Sequence, residues 1–185
     1  MRRVVAIALA AGVAAAGCGS SDEPRSRAPD AAAVERSLAG APPPLAALHR
    51  QANRLLGGGA GAFRARLGAL RGHPVVVNKW ASWCPPCRAE LPFFQRLSAE
   101  LGREVAFLGV DSDDNPGDAR DFMRRFPVSY PSYEDPDQRV AAVFKGHLAF
   151  PTTAFYDASG RLTFVHQGGY ATEARLRQDV ERYAR

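Results

Sequence analysis

Apolar residues recur along this chain in two rhythms. Leu48, Leu55 and Leu56 give Ala46 to Leu56 the look of a helix, which Gly57-Gly58-Gly59 ends. Phe63, Leu67 and Leu70 follow at helical spacing and predict a second short helix, closed by Gly72. Val75-Val76-Val77 after Pro74 reads as a strand buried on both faces. Leu91, Phe94, Leu97 and Leu101 then share a helical face that stops at Gly102, and Val105 to Val110 is a second apolar strand. Asn115-Pro116 offers a helix cap followed by proline at the first helical position, ahead of Phe122, Met123 and Phe126. A short helix is expected over Asp137 to Phe144. Thr153 to Asp157 and Leu162 to His166 flank Ala158-Ser159-Gly160 as a hairpin, and Leu176, Val180 and Tyr183 stripe a closing helix.

Strand, helix, strand, helix, hairpin and helix in that order predict an α/β fold, with a mixed central sheet and helices on both faces. A length of 185 residues with 46% hydrophobic positions suits one ordinary domain with short appendages, and excludes disorder throughout. No apolar run reaches the ~20 residues of a stable membrane-spanning helix. Net charge is +5, and without Arg2 and Arg3 the balance is 22 basic to 19 acidic residues. Arginines dominate, Lys79 and Lys145 being the only lysines. No basic run or interleaved aromatic platform is present, so nucleic acid is not an expected partner.

The first residues carry their own signal. Met1-Arg2-Arg3 and the small-residue apolar stretch Val4 to Gly17 fit a secretory leader. Ala15-Ala16-Gly17-Cys18 at its end resembles the lipobox of bacterial lipoprotein precursors, with Ala15 where leucine is usual. That resemblance implies cleavage before Cys18, lipidation of Cys18, and a location at the cell membrane on its extracytoplasmic face. Residues 18–44, rich in Ser, Asp, Glu, Pro and Ala, read as a flexible tether with a helix across Ala31 to Leu38. The folded domain is expected over 45–185, its core over about 70–185 and a helical extension ahead of it.

Trp83-Cys84-Pro85-Pro86-Cys87 directly follows the first strand and opens a helix. A thiolate there faces unpaired backbone N–H groups and the positive end of the helix dipole, which lower its pKa. Two intervening residues let the second sulfur displace what the first captures. Cys84, nearer the helix end, is expected to be the exposed attacking thiol and Cys87 the deeper, resolving one. An inert structural disulfide, half of a zinc site and a copper carrier share this spacing. However, His49, His73, His147 and His166 show no paired spacing that would complete a metal site. Glu90, three residues after Cys87, lies on the same helical face, either as a buried proton exchanger for the resolving thiol or as a solvated surface acid.

Val75 through Pro92, together with Gly109-Val110-Asp111 and Phe150-Pro151-Thr152-Thr153, is similar to the membrane-anchored thioredoxin-like thiol–disulfide oxidoreductases of the TlpA/ResA type. The resemblance covers roughly residues 70–185. It implies a thioredoxin-like fold, catalysis by Cys84 and Cys87 with no cofactor beyond that redox-active pair, and Glu90 as proton exchanger. It further implies that Pro151 is a cis proline facing the pair, beside an edge on which a substrate peptide adds as a strand. Trp83, Pro85, Pro86, Phe150 and Thr152 are the expected substrate-binding residues.

The partners implied are protein thiols and disulfides, apocytochrome c among them, and a membrane-embedded thiol donor that re-reduces the pair. The resemblance implies reduction as the expected direction; thioredoxin-like pairs span about −270 to −120 mV, so thiol oxidation stands as its alternative. A peroxiredoxin needs Pro-x-x-x-Thr-x-x-Cys, where this chain has Val77 and Ala81. A metal-binding or structural lipoprotein is the remaining alternative. Two departures from the family stand out. Lys79 replaces an aromatic or aliphatic residue, predicting a less buried strand face. The stretch before Gly72 reads as helix and loop where the family commonly has a strand or hairpin.

Overall fold

The computed structural model describes residues 29–185, so the leader and Cys18 lie outside the described residues. In chain order the elements are α1 (Ala31–Leu38), α2 (Pro43–His49), β1 (Leu55–Leu56), α3 (Gly59–Ala69), β2 (Val75–Trp80), α4 (Pro85–Leu101) and β3 (Ala106–Ser112). They continue with α5 (Pro116–Arg125), β4 (Ser132–Asp135), α6 (Arg139–Val143), β5 (Thr152–Tyr156), β6 (Leu162–Gln167) and α7 (Glu173–Tyr183).

The strands form one sheet in the order β1-β4-β3-β2-β5-β6. β1, β4, β3 and β2 run parallel, whereas β5 pairs antiparallel with β2 and β6 pairs antiparallel with β5. Alternation along β2 sorts the core into two layers. Val76 packs with Phe94 and Leu97 of α4, Phe122 of α5 and Leu176 and Val180 of α7. Val75 and Val77 face the other way, toward Leu45 and Leu48 of α2, Phe63 of α3 and Val140 of α6. The mixed sheet with helices on both faces stands as expected.

Three expectations need correction. The helix expected over Ala46–Leu56 ends at His49. Asn53 adopts a left-handed backbone and turns the chain, and Leu55–Leu56 becomes an edge strand on Ser132 and Tyr133. The family's N-terminal strand is therefore present as two residues, too few to set up an alternation in sequence.

Secondly, the helix Ala31–Leu38 forms as expected but is docked on the domain, so residues 31–38 are not a flexible tether. Asp30 caps α1 by accepting from Ala33 N, and Ser37 Oγ donates to Ala99 O of α4. Gly102 makes this docking possible, because a Cβ there would lie 2.5 Å from Leu38 Cδ2 and 3.2 Å from His49 Nε2. Thirdly, β2 is buried along its whole length, Lys79 included. Its ammonium reaches neutral oxygens inside the protein and does not run out to solvent.

Candidate active site

β2 delivers the chain through Ala81-Ser82-Trp83 to Cys84, the N-cap residue of α4. Pro85 and Pro86 occupy the first two helical positions, where a missing N–H costs nothing. The Cys87 N–H points back at Cys84 Sγ, 3.2 Å away, and the two sulfurs form a disulfide with Cα atoms 5.3 Å apart. Contrary to expectation, Cys84 is not the more open sulfur in this oxidised pair: it is 1% exposed and Cys87 is 2% exposed. Its sulfur turns toward Cys87 and the first helical turn, while Trp83, Pro85 and Pro86 on either side are exposed.

Glu90 lies one turn beyond Cys87 and is buried. Its Oε1 accepts from Asn78 Nδ2 at 2.8 Å and its Oε2 from Tyr170 N at 2.9 Å. Burial pushes the carboxyl up to about 7, against the two hydrogen bonds, which favour the charged form. Asn78 on β2, Glu90 on α4 and Tyr170 before α7 thus join three elements at one carboxyl. Tyr170 is held in turn, its hydroxyl donating to Asp179 Oδ2 at 2.9 Å and its ring stacked on His166 at 4.2 Å.

The Phe150–Pro151 peptide bond is cis. A Cβ added at Gly169 would sit 3.5 Å from Pro86 Cβ and 3.7 Å from Pro151 Cγ, so the cysteine turn, the proline and Gly169 meet there. The Phe150 ring packs on Trp83, with centroids 4.9 Å apart, and Trp83 Nε1 donates to Asp113 O at 2.8 Å. Among the described residues no hydrogen bond engages the backbone of Phe150.

Thr152, expected to bind substrate, is instead wholly buried. Its Oγ1 donates to Ala149 O at 2.9 Å, and its backbone sits between Lys79 of β2 and Gln167 of β6. An interior strand position leaves it nothing to offer a substrate.

The sequence assigns two groups beside the site no role in it, Lys79 standing out only as a departure from the family and Asp114 not at all. Lys79 Nζ bonds Gln138 Oε1 (3.0 Å), Gly146 O (2.9 Å) and Ala149 O (3.2 Å), and lies 3.6 Å from the centroid of the Phe150 ring. Burial lowers its pKa to about 8, although Asp135 and Asp113 favour its charge. On the other flank Asp114 accepts from both the backbone N–H and the Oγ of Ser82. It also lies beside the buried carboxyl of Asp111. Burial first, and then the neighbouring Asp114, push Asp111 up to about 9.

A family model described as Redoxin matches residues 60–182. A thiol:disulfide interchange protein DsbE homolog of Paracoccus denitrificans is 41% identical over 99 residues, which are 53% of this chain and 52% of that protein. The thiol-disulfide oxidoreductase ResA of Oceanobacillus iheyensis is 33% identical over 107 residues, 56% of this chain and 54% of its own. The chain thus spans about half the length of these curated relatives. A putative thiol:disulfide interchange protein DsbE from Chlorobium tepidum superposes with a TM-score of 0.58 at 26% identity, over 63% of this chain and 83% of its own. An exposed lipoprotein thioredoxin of Streptococcus pneumoniae gives 0.55 at 25% identity, over 63% and 89%. The fold is thioredoxin-like.

Proposed function

The chain belongs to the Redoxin family, and from that premise we propose that it is a thiol–disulfide oxidoreductase that reduces protein disulfides outside the cytoplasm. One observation carries the reading: a cysteine pair at the head of a helix, with a buried carboxyl able to hold or release a proton near neutrality one turn further along.

The steps balance in atoms and electrons. With both cysteines reduced, the Cys84 thiolate attacks one sulfur of a substrate disulfide. A mixed disulfide forms, and the other substrate sulfur leaves as a thiolate that takes a proton from water. Glu90, ionised, accepts the proton of the Cys87 thiol. The Cys87 thiolate then attacks Cys84 Sγ, closing the Cys84–Cys87 disulfide and expelling the second substrate thiolate. The substrate gains two electrons, the cysteine pair loses two, and an external dithiol restores the pair. The cysteine pair is itself the redox group, with no separate cofactor.

The leader supports the location, since Ala15-Ala16-Gly17-Cys18 reads as a lipobox and the pneumococcal relative is itself an exposed lipoprotein. Lipid on Cys18 would hold the domain at the membrane, within reach of a membrane-embedded thiol donor. Apocytochrome c, with its paired cysteines, fits as a substrate.

Trapping tests the reading. In cells, Cys87→Ser should accumulate mixed disulfides through Cys84, and Cys84→Ser should not. Equal trapping by both variants, or by neither, rejects it. A glutathione redox titration followed by Trp80 and Trp83 fluorescence then fixes the direction, since a potential near the oxidising end would make the protein a thiol oxidant.

A further inference from the structure

Lys79 carries a consequence for substrate choice. Its three ammonium hydrogens meet three neutral oxygens, two of them backbone carbonyls of the loop between α6 and β5. That loop has little else to hold it. Lys145 N and Gly146 N bond back to α6, but from His147 to Phe150 no backbone N–H finds a backbone acceptor among the described residues. The carbonyls of Gly146 and Ala149 are engaged by side chains alone, Ala149 O by Lys79 and by Thr152 Oγ1 together.

Asp135 lies nearby but is occupied elsewhere. It accepts from Val140 N, Ala141 N and Ser112 Oγ, so the loop carbonyls and Gln138, not a carboxylate, are the bonded partners of the ammonium. The same ammonium sits against the Phe150 ring, whose packing on Trp83 builds the apolar pair beside Cys84. An aromatic or aliphatic residue at position 79 could make none of these polar contacts.

We propose that Lys79 is a specificity-determining positioning residue: by bonding Gly146 O and Ala149 O beneath Phe150, it sets the Trp83–Phe150 pair that receives the residues flanking the cysteine of an extended, disulfide-bearing peptide. The inference rests on the reductive reading given above. Lys79 touches no reacting sulfur. Its effect is on how well a peptide is held, not on how fast the sulfurs exchange.

The test uses the full chain with dithiothreitol as donor and, as substrate, an extended ten-residue peptide whose single cysteine is in mixed disulfide with glutathione. Lys79→Met keeps most of the length of the side chain and removes its donors. Lys79→Gln, of similar length, neutral and still a donor, is measured in parallel. Peptide KM should rise on the order of tenfold in the folded variants, with kcat within about twofold. The near-UV circular dichroism assigned to Trp83, by its loss in Trp83→Phe, should weaken along with it.

KM within about twofold of the unaltered protein overturns the proposal. So does a fall in kcat at constant KM, which would put Lys79 in the chemistry. Loss of the far-UV signal in both variants overturns it as well, since Lys79 would then be holding the fold and not the loop. If the unaltered protein does not turn over the peptide at all, the reductive reading fails first and takes this inference with it.

Discussion

Asn78 Nδ2 donates to Glu90 Oε1 at 2.8 Å, a bond from the central strand to the helix that carries both cysteines. It ties the protonation of Glu90 to a residue six positions before Cys84. The bond favours the charged carboxylate and opposes the effect of burial. Asn78→Leu removes it and should raise the Glu90 midpoint further above about 7. A hydrogen bond to a charged group corresponds to about one pH unit or more. The acid limb of the rate at which Cys87 displaces a bound substrate should move up by that amount, as measured by stopped-flow release from a preformed Cys84 mixed disulfide. An unmoved limb would remove Glu90 from the proton path.

Glu90 also makes stability depend on pH in a defined window. Its carboxyl titrates near 4.5 in the unfolded chain and near 7 in the folded protein. Below 4.5 both states are neutral. Between the two values the folded protein keeps a proton that the unfolded chain has lost, so stability falls as pH rises, and above 7 it levels off. The loss is about 3 kcal/mol on the scale of 1.36 kcal/mol per pKa unit. Glu90→Gln should cancel it: urea unfolding of the oxidised protein at pH 4 and pH 8 should show the variant gaining on the unaltered chain by that order between the two.

Much of this site was legible in the chain and some was not, for physical reasons. The cysteine pair announced itself because strand, CxxC and helix follow one another within a dozen residues. Asn115-Pro116 likewise started α5, with Asn115 Oδ1 accepting from Gly117 N at 2.7 Å. β4 escaped because Ser132-Tyr133-Glu134-Asp135 shows no apolar alternation. Ser132 and Asp135 are buried through polar partners, Ser132 accepting from Trp80 Nε1 across the sheet and Asp135 from Ser112 Oγ while it holds the start of α6. Lys79 looked like a surface residue for the same reason, since its acceptors lie 59 to 70 positions downstream. Periodicity reports which face is apolar, but not which polar groups find each other across a fold.

Gly109, in the middle of β3, tests how tightly the sheet packs behind the site. A Cβ there would lie 2.1 Å from Ser132 Oγ and 3.0 Å from Trp80 Nε1, inside the bond that those two residues make. Gly109→Ala should therefore cost about 1–3 kcal/mol in urea unfolding, the usual penalty for overpacking, and shift Trp80 fluorescence. Because the hydroxyl is the nearest atom, adding Ser132→Ala should recover part of the loss. A double-mutant cycle with no coupling would show that the strain is relieved elsewhere.

Asp111 is another buried acid, and its effect on stability should be larger than that of Glu90. Its Oδ1 has no hydrogen-bond partner, and Asp114, Glu134 and Asp135 add negative charge around it. Burial first, and these neighbouring charges after it, raise the carboxyl to about 9 in the folded protein against an ordinary 3.8. Across that interval folding takes up a proton, and stability declines with rising pH by about 1.4 kcal/mol per unit. Asp111→Asn removes the ionisation and keeps a donor for Asp114, so the Asp114 contacts to Ser82 should persist. The variant should match the unaltered protein near pH 4 and exceed it at pH 7 by on the order of 4 kcal/mol in urea unfolding. Parallel stability profiles from pH 4 to 8 would mean that Asp111 is ionised in the folded protein and that a cation or water compensates it there.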